Sequence, residues 1–137
     1  MNQAHVTLAE KLSREECLEL LQYNSYFGRL GFIAEGRPMV LPVNYLAEDT
    51  YLVFCTAPGT MLSSAVGAPV AFEVDGSRPL YRSGWSVLVR GVACAVTEPD
   101  EIERLRRGPL KSWAAPGPQQ WVRVSIDEIS GRRIPGG

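Results

Sequence analysis

The residues of this chain that are able to do chemistry are few, and most fall within residues 51–75. There an apolar strand runs into the turn Thr56-Ala57-Pro58-Gly59-Thr60-Met61-Leu62, then a short helix, then a second apolar strand ending Phe72-Glu73-Val74-Asp75. Thr60 suits an N-cap, which predicts unpaired first-turn amides at Met61, Leu62 and Ser63, with the hydroxyls of Ser63 and Ser64 beside them. A helix start reached from a strand through a glycine is a common seat for a phosphate. The same residues also make an ordinary capped helix linking two strands, and Glu73 and Asp75 fit either a ligand contact or two solvated acids.

Other catalytic equipment is missing. The only histidine is His5, which excludes Ser-His-Asp and Cys-His machinery and any His-Cys zinc cluster. No Gly-x-Gly-x-x-Gly follows a strand and no Gly-Lys-Ser/Thr loop is present, so neither of those nucleotide-binding routes applies. An enzyme built on this chain would need a cofactor to carry its reaction, with no obligate acid or base among its side chains and no metal ligands.

The 137 residues suit one domain with a single core. An apolar content of 45% against 21% charged residues marks ordinary globular material rather than a disordered chain. A net charge of -1 gives no electrostatic footprint for nucleic acid. The one basic cluster, Arg104, Arg106 and Arg107, suits the solvated face of a short helix. Cys17, Cys55 and Cys94 are odd in number, far apart and set among apolar neighbours, as expected of buried thiols in a reducing compartment. With no secretory start and no membrane-length apolar run, the expected location is the cytoplasm.

The elements that must position these residues follow from pattern. Residues 1–10 read as a loose arm. Ser13-Arg14-Glu15-Glu16 is a capping box, with Cys17, Leu18 and Leu21 on one face of the helix it opens. Strands are predicted from Tyr26 to Ile33 and over residues 38–45, joined as a hairpin through Glu35-Gly36-Arg37, then over 51–56 and 70–75. Residues 76–84 read as a polar loop. The longest strand signal covers 85–96, where Gly91 invites a bulge or sharp bend. A helix over about 100–107 and an irregular loop over 108–119 lead to a last strand over 121–126. A polar tail, 127–137, closes the chain. Six strands joined mostly by tight turns predict antiparallel pairing, and with glycine bends a small closed barrel.

The order and wording of these segments resemble the pyridoxamine 5'-phosphate oxidase-like family of FMN-binding split barrels, in particular its small actinobacterial-type members. The match runs from about Ser13 to Arg133. It rests on Pro42-Val43-Asn44-Tyr45, on the Thr56 to Leu62 turn, and on Val70-Ala71-Phe72-Glu73-Val74-Asp75. It rests also on Gly84-Trp85-Ser86-Val87-Leu88-Val89-Arg90-Gly91 and on Trp121-Val122-Arg123-Val124. The resemblance implies a six-stranded antiparallel split β-barrel of Greek-key type with short flanking helices. It also implies a homodimer with FMN in each of two interfacial grooves and a small-molecule substrate, with neither nucleic acid nor membrane as partner.

Carried over by position, Pro42, Val43 and Asn44 pass beside the isoalloxazine ring. Thr56, Ala57, Gly59, Thr60 and Met61, with Ser64, hold the ribityl phosphate. Trp85, Ser86 and Val87 line the groove, and Trp113 reaches in from the partner subunit. Trp85 and Trp113 fit equally as core or interface aromatics, and Asn44 as a polar strand residue. Met61 stands where the family usually has lysine, so the phosphate loses a charge-assisted contact, roughly twice as strong as a neutral one, unless an arginine substitutes. Arg37, Arg82, Arg90 and Lys111 are the candidates. The implied activity is an FMN-dependent oxidoreductase that transfers hydride at flavin N5. A deazaflavin-dependent reductase using the same groove and a non-catalytic flavin- or haem-binding dimer are the alternatives.

Overall fold

The computed structural model of the protein describes residues 9–24, 26–110 and 118–136. In chain order the elements are β1 (Glu10–Lys11), α1 (Arg14–Tyr23), β2 (Phe27–Ala34), β3 (Arg37–Ala47), β4 (Tyr51–Thr56), a 3-10 turn (Met61–Ala65) and β5 (Pro69–Arg78). A second 3-10 turn (Pro79–Tyr81), β6 (Ser83–Ala95), α2 (Pro99–Arg107), β7 (Gln120–Ser125) and β8 (Glu128–Ile134) follow. All strand pairs are antiparallel, and the sheet runs β1-β8-β6-β5-β2-β3-β4-β7. A further pairing of β6 with β7 closes β6-β5-β2-β3-β4-β7 into the expected six-stranded barrel.

Closure depends on β6 changing partners. Up to Arg90 it pairs with β8, and from Ala93 it pairs with β7. The change falls at Gly91, where a Cβ would lie 1.7 Å from the Ser125 carbonyl oxygen. Only a residue without a side chain lets the β7–β8 connection pass so close. Two hydrogen bonds hold the crossing, from the Val92 amide to Ser125 Oγ (3.0 Å) and from the Asp127 amide to the Arg90 carbonyl (3.1 Å).

Alternation then sorts the side chains. Leu30, Phe32, Val43, Tyr45, Phe54, Phe72, Val74, Val87, Val89, Val122 and Val124 point inward and form the main core. Its largest members, Tyr45, Phe54 and Phe72, are fully buried, each such side chain contributing about 1.5–3 kcal/mol of transfer free energy. The Ser13 capping box is present in both directions, at 3.0 and 3.1 Å. Those bonds from Ser13 hold the Glu16 carboxyl below its ordinary range. α1 buries Cys17 and Leu21, and the Tyr45 hydroxyl donates to the carbonyls of Leu21 (2.6 Å) and Asn24 (3.0 Å) at the end of that helix. On the other side, α2 lays Leu105 against Val53, Cys55 and Trp121 in a smaller cluster. Arg104, Arg106 and Arg107 face outward, paired to Glu101 and Glu103.

Four expectations need correction. Cys94, grouped with the buried thiols, is exposed on the outer side of β6, whereas Cys17 and Cys55 are buried. Residues 127–137, read as a polar tail, supply β8, which pairs with β6 over seven positions. Its inward residues include Gly131, where a Cβ would meet Cys17 Sγ at 2.8 Å. Of the inward positions of β8 only Ile129 is apolar, the others being Gly131 and Arg133, so the strand carries little apolar alternation and the pattern reads as polar. Glu10, placed in the loose arm, pairs with Arg133 in β1. Residues 76–84, read as a loop, are mostly hairpin: β5 and β6 pair out to Arg78↔Ser83.

Candidate functional site

The outward side chains of β3, β2, β5, β6 and β8 line up in rows. One row reads Pro42, Arg29, Glu73, Leu88, Ser130, and its neighbour Val40, Gly31, Ala71, Arg90, Glu128. Around the second row lies a mainly apolar groove of about 520 Å³ that includes Ile33, Met39 and Val92. Ile33 (58% exposed) and Val40 (64%) are open to solvent here, which is unusual for adjacent apolar residues on a monomer surface.

Asn44 follows Pro42 on this face, one position beyond the last β3–β4 pair, Tyr45↔Phe54. Its Oδ1 is buried and has no hydrogen-bond partner among the described residues. An acceptor left so costs about 1–3 kcal/mol, which makes it a position in want of a donor. Ser86 faces the same side on β6, three strands away or roughly 14 Å at the usual strand spacing. Beside it across the ladder is Arg132, exposed and in no ion pair among the described residues. Reading 127–137 as a tail hid Arg132.

Between these positions sits a charged cluster. Arg29 Nη1 is 3.1 Å from Glu73 Oε1 and 2.9 Å from Asp75 Oδ2. Burial, then the hydrogen bond and charge of Asp75, push the Glu73 carboxyl up to about 7 despite the opposing Arg29. Glu73 and Asp75 are thus tied together through Arg29 on this face rather than standing as two freely solvated acids.

The Thr56 to Leu62 turn departs from its expected detail. Thr60 has cap geometry but makes no side-chain cap bond. Its hydroxyl donates to the Ala57 carbonyl (2.9 Å) and lies 3.0 Å from that of Thr56. A 3-10 turn follows, and its i to i+3 pattern already engages the Ser63 amide with the Thr60 carbonyl (3.0 Å). The Ser63 and Ser64 hydroxyls donate to the Thr60 and Met61 carbonyls, both at 2.6 Å. Of the three expected donors, Met61 and Leu62 remain without an acceptor among the described residues. Thr60 and Met61 are exposed, Gly59 holds φ +80°, and Thr56 is buried.

The remaining site candidates divide by face. Val43 and Val87 point into the core, so only their backbones reach the outer face. Trp85 shares their side and packs at the end of the barrel, away from the face that carries Asn44 and Ser86. Trp113 and Lys111 lie outside the described residues. Of the arginine candidates, Arg90 is paired with Glu128, whereas Arg37, the first residue of β3, and Arg82, in a turn, are exposed. Among the described residues no group of three or more His, Cys, Asp or Glu is placed to hold a metal ion, and no helix is long and apolar enough to cross a membrane.

A closed six-stranded antiparallel barrel with this segment order has the fold of the flavin-binding split barrels. The sequence profile described as pyridoxamine 5'-phosphate oxidase matches residues 13–133, and the chain belongs to that family. It is similar to the Mycobacterium tuberculosis protein Rv0080, itself described as uncharacterized, at 32% identity over 90% of this chain and 84% of the other. Among solved structures, an FAD binding protein from Mycobacterium smegmatis is 35% identical, with a TM-score of 0.80 over 93% of this chain and 100% of the other. An FAD-binding protein from Mesorhizobium loti is 26% identical, with a TM-score of 0.72 over 92% and 98%.

Proposed function

We propose that the protein is a flavin-dependent oxidoreductase that works as a homodimer, two copies meeting through the outer face of β2, β3, β5 and β6 with a flavin in each groove between them. The observation that carries this is the buried Asn44 Oδ1 on that face, which has no partner among the described residues. The pyrimidine edge of an isoalloxazine offers an N–H, which is the group this acceptor lacks. Support for the dimer comes from the exposed apolar residues Ile33, Val40, Leu88 and Val92 on the same face.

The bound flavin supplies hydride acceptance and delivery at N5. The chain binds and orients. Pro42 and the β3 backbone give the ring a flat wall, and Asn44 fixes its polar edge. The Met61 and Leu62 amides, together with Gly59, receive the phosphate end of the tail. Arg132 and Ser86 of the partner subunit add charge and a hydroxyl. Apolar residues around the groove exclude water, which strengthens each of these polar contacts.

FMN is the cofactor that the family resemblance implies, and the loop suits its phosphate end. The two solved relatives are described as FAD-binding, and Met61 leaves the loop without a lysine, so FAD is the second reading. A deazaflavin would use the same groove. Titrating the protein with FMN, FAD and a deazaflavin separates the three by affinity. Met61→Lys is expected to tighten FMN binding about tenfold or less, the order of one charge-assisted contact. Unchanged affinity would remove the phosphate from this loop. Oxidation of a reduced nicotinamide by the loaded protein, followed with a panel of acceptors, separates an enzyme from a dimer that only stores or senses flavin.

A further inference from the structure

A second cleft, of about 460 Å³, lies on the opposite side of the sheet, where the end of α1 meets the β5–β6 hairpin and β8. Its volume is within the range of small-molecule sites. Trp85 forms its wall, and the indole lies so close to the opposing strand that a Cβ on Gly76 would sit 2.7 Å from Nε1. Glycine at 76 is thus what admits the ring. Tyr23 (91% exposed) and Ile134 (46% exposed) complete an apolar lining that has no covering element among the described residues.

The charged groups of the cleft are of one sign, and its other polar side chains, among them Asn24, Ser77 and Ser83, are neutral. Arg78 and Arg133 line it, and no carboxylate does. Arg133 lies 3.7 Å from Glu16, outside the lining. Arg78 has neither an ion pair nor a side-chain hydrogen bond among the described residues, and the Trp85 indole N–H has no acceptor there. A flat aromatic surface beside an unpaired guanidinium suits a ligand that is itself flat and anionic, since arginine both stacks and binds carboxylates through paired N–H donors.

We propose that this cleft is a small-molecule site separate from the flavin groove, and that it takes a planar aromatic carboxylic acid, its ring against Trp85 and its carboxylate toward Arg78. As a substrate or effector site it goes beyond the flavin reading and does not depend on it.

The test uses 2-naphthoate as a probe and the indole N–H resonance of Trp85 as the readout, that resonance being identified by its loss in Trp85→Phe. The expected result is a saturable shift, weakened at least about tenfold in Arg78→Gln and at least about tenfold with the uncharged 2-naphthamide. Arg78 is exposed, so the substitution leaves the core untouched. Saturating FMN should leave the 2-naphthoate affinity within about twofold. Absence of a saturable shift would overturn the proposal, as would equal affinity in Arg78→Gln or for the amide. Competition by FMN would make the cleft part of the flavin site and overturn its separateness, whereas failure of FMN to bind at all would sink the flavin reading and leave this one standing.

Discussion

Glu73 is the residue whose chemistry is most sensitive to conditions. Its carboxyl holds a proton up to about 7 in the folded chain, against an ordinary value of 4.5. Between those values the folded chain keeps a proton that the unfolded chain has released, so stability falls as pH rises across that window. With its side chain 34% exposed, solvent screens much of the effect, leaving on the order of 1 kcal/mol. Glu73→Gln should therefore flatten the decline in melting temperature between pH 5 and 7.5, and a decline as steep as wild type would show that another group titrates there. Tyr45 gives a second residue-scale prediction. Its buried hydroxyl ties β3 to the carbonyls that end α1, so Tyr45→Phe should cost about 1–2 kcal/mol in denaturant unfolding. No change in midpoint would mean that water satisfies those carbonyls instead.

At the scale of elements, β6 decides the architecture, and its turning point is Gly91. Gly91→Ala places a methyl 1.7 Å from the Ser125 carbonyl oxygen. It should destabilise the protein by more than about 3 kcal/mol, seen as loss of the cooperative thermal transition or a fall of well over ten degrees. A melting point near wild type would mean that the β7–β8 connection can move aside. The bend itself was legible, because a glycine inside a long apolar run marks a bulge or a close approach. The strand that passes it was not, because β8 reads as polar: Gly131 leaves room for Cys17 where a core residue would otherwise advertise the inward face. The site divides in the same way. Asn44 stood out through the motif around it, but the 3-10 geometry that engages Ser63 and turns Thr60 back on Ala57 is decided by hydrogen bonds within the turn. The same residues would read alike in an α-helix. Likewise Arg132 gains its place beside Ser86 only through pairing of strands 46 positions apart, a relation that no local pattern carries.

For the whole molecule, the proposed function requires two copies and one shared face. Ile33→Glu or Val40→Glu would put a charge in the apolar groove that the partner is proposed to cover. Either should convert a dimer to monomers by light scattering and release the flavin with it, since each groove takes residues from both copies. A dimer that persists in both variants would place the interface elsewhere. Flavin docking against Asn44 is tested most directly by a fluorescence titration of flavin into the apo-protein, run in parallel on wild type and Asn44→Ala. Saturation is expected at one flavin per chain, with binding about tenfold or more weaker in the variant, whereas equal affinity in the two proteins, or no saturation in wild type, would show that no flavin docks against Asn44.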